Sequence, residues 1–214
     1  MACLDWIRLL QKYRVIAVIR SPQFHIGWQM AKSVIQGGVQ LVEITWNSEF
    51  PEQLIAQLRS DFPESVIGAG TLLTLEDLQR AVDAGSQFLF SPHTNSQLIR
   101  AANQAGVPIV PGAFSPTEIV TAWQAGADCV KVFPISALGG ATYLKSLKGP
   151  LGQIPLIPTG GIRFDNAQGF LAVGAVAVGL SSDFFPKSLV ETENWPAITQ
   201  RTAQFLETIS SRMK

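Results

Sequence analysis

The stretch CVKVFPISALGG, residues 129–140, sets one lysine, Lys131, in a run that otherwise reads as a buried strand. Side chains alternate along a strand, so if Lys131 faces inward then Cys129 and Phe133 do too, while Val130 and Val132 face the covering helices. Burial penalises an ammonium, and a neutral amine in a partly apolar pocket is the nucleophile that condenses with a carbonyl to a Schiff base. The other reading is a lysine whose stem lies along a wall and whose head reaches water or a carboxylate. A carboxylate is available in LVEITW, where Glu43 shares a face with Leu41 and Thr45. On an otherwise apolar strand, Glu43 either carries protons for a reaction at the lysine or forms a structural ion pair with it.

Other strand ends suggest ligand loops. IPTGGIRFDN offers the main-chain amides of Gly160 and Gly161 before a helix, and VGLSSDFF offers Ser181 and Ser182 at another helix start. Both are suited to an anion such as phosphate, and both also read as ordinary capping turns. GAGTLLTLEDL contains Thr71, whose hydroxyl and neighbouring amides could hold a carboxylate, or the segment is a tight turn leading to an N-cap at Thr74. Arg20, at the mouth of the first strand, is either a carboxylate clamp or a rim residue. Trp46 ends the second strand and is a further candidate for the pocket wall. His93, in SPHTN, lies either at the mouth or on a surface loop. His25 and His93 are the only histidines, without metal-ligand spacing, so no metal is expected.

These residues need a scaffold that gathers strand ends. A phrase recurs along the chain, a helical stretch ending in small residue plus Gly and then a short apolar run: IQGGVQLVEIT, VDAGSQFLFSP, NQAGVPIVPG, WQAGADCVKVFP, LAVGAVAVGLSS. Glycine ends each helix in the left-handed conformation, and the apolar run is the next strand. Strands are expected at 15–20, 41–46, 65–69, 87–91, 108–112, 129–133, 155–159 and 175–179. Apolar strands alternating with helices specify a covered parallel sheet, and eight such units predict a (β/α)8 TIM barrel. An open doubly wound sheet should carry a glycine-rich fingerprint in its first turn, which VIRSPQFHIGW lacks. The expectation is one α/β domain over residues 1–214, with a helix at about 3–13 capping the barrel bottom and NWPAITQRTAQFLETISSRMK as the last helix. In a barrel, chemistry lies where the C-terminal ends of strands meet the loops.

Composition narrows the partners. With 47% hydrophobic residues and 16 basic against 16 acidic side chains, nucleic acid and anionic membrane are not expected partners, and a small molecule is. No stretch of about 18 uninterrupted apolar residues occurs and the N-terminus lacks a signal-like apolar core, so a cytoplasmic location is expected. Cys3 and Cys129 read as reduced, structural thiols.

Taken in order, VEIT around Glu43, GAGT at 68–71, SP at 91–92, PG at 111–112, VKVFP around Lys131 and PTGGI at 158–162 resemble the 2-keto-3-deoxy-6-phosphogluconate (KDPG) and 4-hydroxy-2-oxoglutarate (KHG) aldolase family. The resemblance covers residues 10–210. It implies a class I aldolase on a (β/α)8 barrel, a homotrimer without metal or other cofactor, acting on a phosphorylated keto acid. Under it, Lys131 is the Schiff-base residue and Glu43 the general acid/base. Thr71 helps to hold the pyruvate carboxylate, Pro92 lines the pyruvate pocket, and Thr159, Gly160, Gly161, Ser181 and Ser182 surround the phosphate end. The best-known members carry an arginine four residues after the glutamate, where this chain has Asn47. Members acting on the galactonate epimer resemble this chain in having Asn-Ser there and an arginine after the first strand, which is Arg20. Two other classes stay open: a phosphate-binding isomerase or synthase of the tryptophan or thiamine pathways, and a non-catalytic phosphometabolite-binding barrel.

Overall fold

A computed structural model describes residues 3–211. Residues 1–2 and 212–214, and the side chains of Cys3, Leu4, Asp5 and Ser211, lie outside the described part. Nine parallel strands alternate with helices: α1 (Cys3–Tyr13), β1 (Val15–Ile19), α2 (Phe24–Gln36), β2 (Leu41–Thr45), α3 (Pro51–Asp61), β3 (Val66–Gly70), α4 (Leu75–Asp83), β4 (Leu89–Phe90), α5 (Ser96–Ala105), β5 (Ile109–Val110), β6 (Gly112–Ala113), α6 (Pro116–Gln124), β7 (Val130–Val132), α7 (Ala141–Leu151), β8 (Leu156–Pro158), α8 (Ala167–Ala172), β9 (Val178–Leu180), α9 (Lys187–Glu191) and α10 (Trp195–Ser211). A 3-10 turn spans Ile135–Leu138.

The strands form a curled six-stranded sheet, in the order β5-β4-β3-β2-β1-β9, and a three-stranded sheet, β6-β7-β8. A single parallel bridge, Thr159 to Gly179, connects the ends of β8 and β9. The expected fifth strand, 108–112, is divided into β5 and β6 by Pro111, which has no N–H to give to a ladder. The expected eighth strand is displaced from 175–179 to 178–180. Ala175 still donates to Phe170, closing α8, and pairing with β1 starts only at Val178 opposite Val15. The helix expected to start at Ser181 and Ser182 is the short α9, which begins only at Lys187, and sequence reading omitted the 3-10 turn, too short to show a helical period.

Strand alternation divides the core in two. Val15, Ala17 and Ile19 of β1, Val42 and Ile44 of β2, and Val130 and Val132 of β7 pack beneath the helices. The opposite faces supply a second cluster of Ile16, Leu41, Phe88, Phe90, Val110, Cys129, Ile157 and Ala177, joined by Trp6 and Leu10 of α1. This inner face is apolar at the strand starts and becomes polar two residues later, from Leu41 to Glu43 and from Cys129 to Lys131. Trp6 is fully buried, stacks on Phe88 with ring centroids 4.9 Å apart, and closes the strand-start end of the cluster. Trp6→Ala should cost about 3–5 kcal/mol in urea unfolding, and Trp6→Phe clearly less. The indole N–H is buried without a partner among the described residues, so losing it removes an unsatisfied donor while the stack is kept. Equal losses for the two variants would contradict this account.

Candidate functional site

β2 and β7 place the two candidate reactive groups. Glu43 sits at the centre of β2, opposite Val18 of β1 and Gly68 of β3, and is 1% exposed. Lys131 sits at the centre of β7, opposite Gly112 and Ile157, and is 6% exposed. Both line one cavity of about 270 Å3, together with Arg20, Thr71, Pro92, Thr159, Gly160, Gly161, Ser181 and Ser182. These ten of the residues singled out in the sequence therefore meet on one wall. Val18, Thr45, Phe133, Ile162, Gly179 and Leu180 complete it. Of these, Thr45 and Phe133 were legible as the next inward positions after Glu43 and Lys131; Gly179 and Leu180 were not, because the eighth strand was placed too early.

Lys131 and Glu43 form no ion pair: the three within 4 Å among the described residues join Arg80 to Glu52, Arg163 to Asp165 and Lys187 to Glu191, all on the surface. The structural-pair reading is thus overturned. The ammonium position of Lys131 lies 4.8 Å from the ring centroid of Phe133 and 5.5 Å from that of Phe90. Glu43 leaves its Oε1 buried without a hydrogen-bond partner among the described residues. Burial raises the Glu43 carboxyl above the ordinary carboxylate range, and the nearby charges of Lys131 and Arg20 pull it partly back.

The GAG triplet makes room for this arrangement. A Cβ on Gly70 would fall 1.7 Å from Glu43 Oε1, and one on Gly68 would fall 2.4 Å from the Phe88 carbonyl. Both glycine positions of the triplet are therefore filled by neighbours, one by the carboxylate and one by the apolar floor. Directly after them Thr71 adopts φ 63°, a left-handed conformation that costs a β-branched residue on the order of 1–3 kcal/mol. Thr74 does cap α4, in a capping box with Asp77. Thr71 is a separate feature, part of the cavity wall.

At the rim, Arg20 Nε donates to Asn47 Oδ1 at 3.2 Å. Ser48 Oγ accepts from the Ser21 amide at 3.2 Å and lies 3.2 Å from Thr45 Oγ1, so the turn after β2 is fastened to the turn after β1. On the other side, Thr159 is 8% exposed with no partner for its hydroxyl, which packs against Gly179. Gly160 and Gly161 both have positive φ, 85° and 86°, where a side chain would be strained and, at Gly161, would strike Ser136. The main-chain N–H groups of Gly161, Ser181 and Ser182 donate to no group among the described residues. These amides belong to loops: the helix expected after the glycines begins only at Ala167, and the helix start expected at Ser181 and Ser182 is absent, since α9 begins at Lys187. Any anion here would be held by loop N–H and hydroxyl groups without a helix dipole behind them.

Two candidates fall outside the wall. Trp46 turns away, donates to Asp77 at 2.8 Å and lies under the Arg80 guanidinium. His93 is exposed on its loop, the surface alternative. Among the described residues no group of three His, Cys, Asp or Glu side chains could hold a metal ion, and no helix is long and apolar enough to cross a membrane.

Comparison with known proteins agrees with this geometry. Residues 7–201 match the family model "KDPG and KHG aldolase". The 2-dehydro-3-deoxy-phosphogluconate aldolase of Haemophilus influenzae is 31% identical over 203 residues, covering 95% of this chain and 96% of its own. Among solved structures, the KDPG aldolase of Legionella pneumophila, with pyruvate captured as a covalent carbinolamine, superimposes with a TM-score of 0.86 at 28% identity, over 93% of this chain and 97% of that one. A native KDPGal structure gives a TM-score of 0.79 at 31% identity, over 91% and 96%. Matched over nearly its whole length in sequence and in fold, the chain belongs to the KDPG and KHG aldolase family.

Proposed function

We propose that this protein is a class I aldolase that cleaves KDPG to pyruvate and glyceraldehyde 3-phosphate, and that also accepts KHG, yielding pyruvate and glyoxylate. The observation that carries this reading is a buried lysine and a buried carboxyl on one cavity wall that form no ion pair within 4 Å. The Lys131 amine attacks the C2 ketone of the substrate, giving a carbinolamine, which loses water to become an iminium. Glu43 supplies and removes the protons of these steps. Loss of the C4 hydroxyl proton then breaks the C3–C4 bond. Its electrons flow into the iminium, the aldehyde leaves, and an enamine remains. Protonation of the enamine at C3 and hydrolysis release pyruvate and regenerate the amine. The iminium is a cation, and the faces of Phe90 and Phe133 suit it.

The unbonded amides of Gly161, Ser181 and Ser182 and the free hydroxyl of Thr159 fit the substrate's phosphate end, with Gly160 shaping the turn. Thr71 and Pro92 border the pyruvate end. Arg20, tethered by Nε to Asn47, keeps its terminal nitrogens for the substrate carboxylate. Arg20→Met should raise KM about 10–100-fold with a smaller change in kcat, the size expected for losing a charged hydrogen bond of about 1.5–3 kcal/mol. An unchanged KM would return Arg20 to the rim. The Arg20–Asn47 bond is also the observation that favours a second reading, preference for the galactonate epimer. Pyruvate release from each phosphorylated epimer and from KHG, measured with purified protein, decides among the substrates. Binding without turnover of any of them would leave only a phosphometabolite-binding barrel.

The same reading includes one closed (β/α)8 domain, a homotrimer in the cytoplasm. Closure is supported by the Thr159–Gly179 bridge and by Pro111 alone separating β5 from β6. α1 then plugs the barrel bottom through Trp6. Exposed Phe50, Leu73, Leu75 and Phe114 offer apolar surface for subunit contact.

A further inference from the structure

A second cavity, of about 360 Å3, lies at the opposite end of the strands from Lys131. Its wall is built where β1, β8 and β9 begin, from Arg14, Pro155 and Val176, with Gln11 of α1 above and Lys148 and Gly174 at its side. Arg14 and Lys148 are both half-buried, and no carboxylate among the described residues lines the cavity. Neither cation makes an ion pair among the described residues.

Both side chains are held in place. Arg14 adopts φ 60°, its N–H donating to Leu10 and its carbonyl accepting from Val178, each at 2.8 Å. Its Nε donates to the Gln11 carbonyl at 3.1 Å. The Lys148 stem crosses Gly174, where a Cβ would come within 3.1 Å of Cε, and its ammonium donates to the Gly152 carbonyl at 3.2 Å. Helix capping alone accounts for one donor of each. A guanidinium has five and an ammonium three, so most of their donors stay unassigned. The carbonyl ends of α1, α7 and the short α8 each contribute at most about half a negative charge, which offsets part but not all of the two full positive ones.

We propose that this cavity is an anion site, distinct from the catalytic one, that takes a phosphate dianion, free or as the headgroup of a small phosphorylated metabolite. The chemistry is that of paired cations without acidic neighbours, which keep a dianion paired and hydrogen-bonded as it leaves water. The test is a residue-resolved titration of the 15N-labelled protein with inorganic phosphate and, separately, with glycerol 3-phosphate, up to about 10 mM, a range that reports millimolar affinities. The amides of Gly152, Gln153, Gly174 and Ala175 should shift saturably, and stronger binding of the ester would identify the metabolite as the natural source. In the double variant Arg14→Gln/Lys148→Gln these shifts should require about tenfold more ligand, while the shifts of Gly160, Gly161, Ser181 and Ser182 persist. Shifts confined to those four residues in the unaltered protein would overturn the proposal without need of any variant. So would a response at Gly152 and Gly174 that the double variant leaves intact.

Discussion

Treated with pyruvate and borohydride, the protein is expected to gain one reduced pyruvyl adduct, on Lys131, and Lys131→Met to gain none. Among the described residues Lys131 is the only buried lysine, and it is the one whose amine shares a cavity with a proton carrier. A lysine outside this cavity has no buried neighbouring acid to remove water from a carbinolamine. The same variant should lose cleavage activity by about 10⁴-fold or more, because the iminium is the only electron sink in the scheme and its loss removes the covalent route entirely. Lys131→Arg should be equally inactive: a guanidinium keeps the charge but is not a nucleophile. Peptide mapping of the adduct checks the position, and a coupled pyruvate assay checks the rate. Full labelling in the variant, or retained turnover in either substitution, would remove Lys131 from the chemistry.

Much of this site was legible because strand alternation carries positions without knowledge of packing. Cys129, Lys131 and Phe133 were separable from Val130 and Val132 by counting in twos, and the structure puts the first three inside and the valines beneath the helices. Glu43 followed by the same count. What counting could not reach was anything set by a neighbour distant in sequence. The glycines at 68 and 70 look like a flexible turn in isolation; they are a strand face emptied for Phe88 and Glu43, and nothing local to GAGT encodes either neighbour. Trp46 sits at a strand end, as a pocket residue would, yet Asp77, thirty-one positions away, holds its N–H outside. The strand ending at Leu180 was placed early because AVAVG is as apolar as VGL, and only the pairing of Val178 with β1 separates them. Division of the fifth strand was in principle visible, since a proline inside a strand interrupts its ladder.

Glu43→Gln is expected to make a slower enzyme and a more stable protein. The carboxyl carries protons at carbinolamine formation, dehydration and enamine protonation, and loss of a positioned acid/base group costs about 10²–10⁴-fold in kcat. Pyruvate labelling of Lys131 should persist at a reduced rate, since the nucleophile is untouched. The stability gain follows from the raised Glu43 carboxyl, caused first by burial and only partly opposed by Lys131 and Arg20. Folded protein binds this proton more tightly than unfolded chain, whose glutamates titrate near about 4.3. Between that value and the raised one the folded state therefore holds more protons, and stability falls as pH rises through the window. Below it both states are protonated and the group contributes nothing; above it the full cost of a buried carboxylate is present. Glutamine carries no such cost, so Tm of the variant should exceed that of the unaltered protein at pH 8 and converge with it toward pH 4. The opposite order at pH 8 would mean that Lys131 and Arg20 stabilise the carboxylate more than burial penalises it, so that the Glu43 carboxyl is not raised. Thermal melts across that range, set beside kcat at the same pH values, test whether one buried carboxyl limits stability and sustains turnover together.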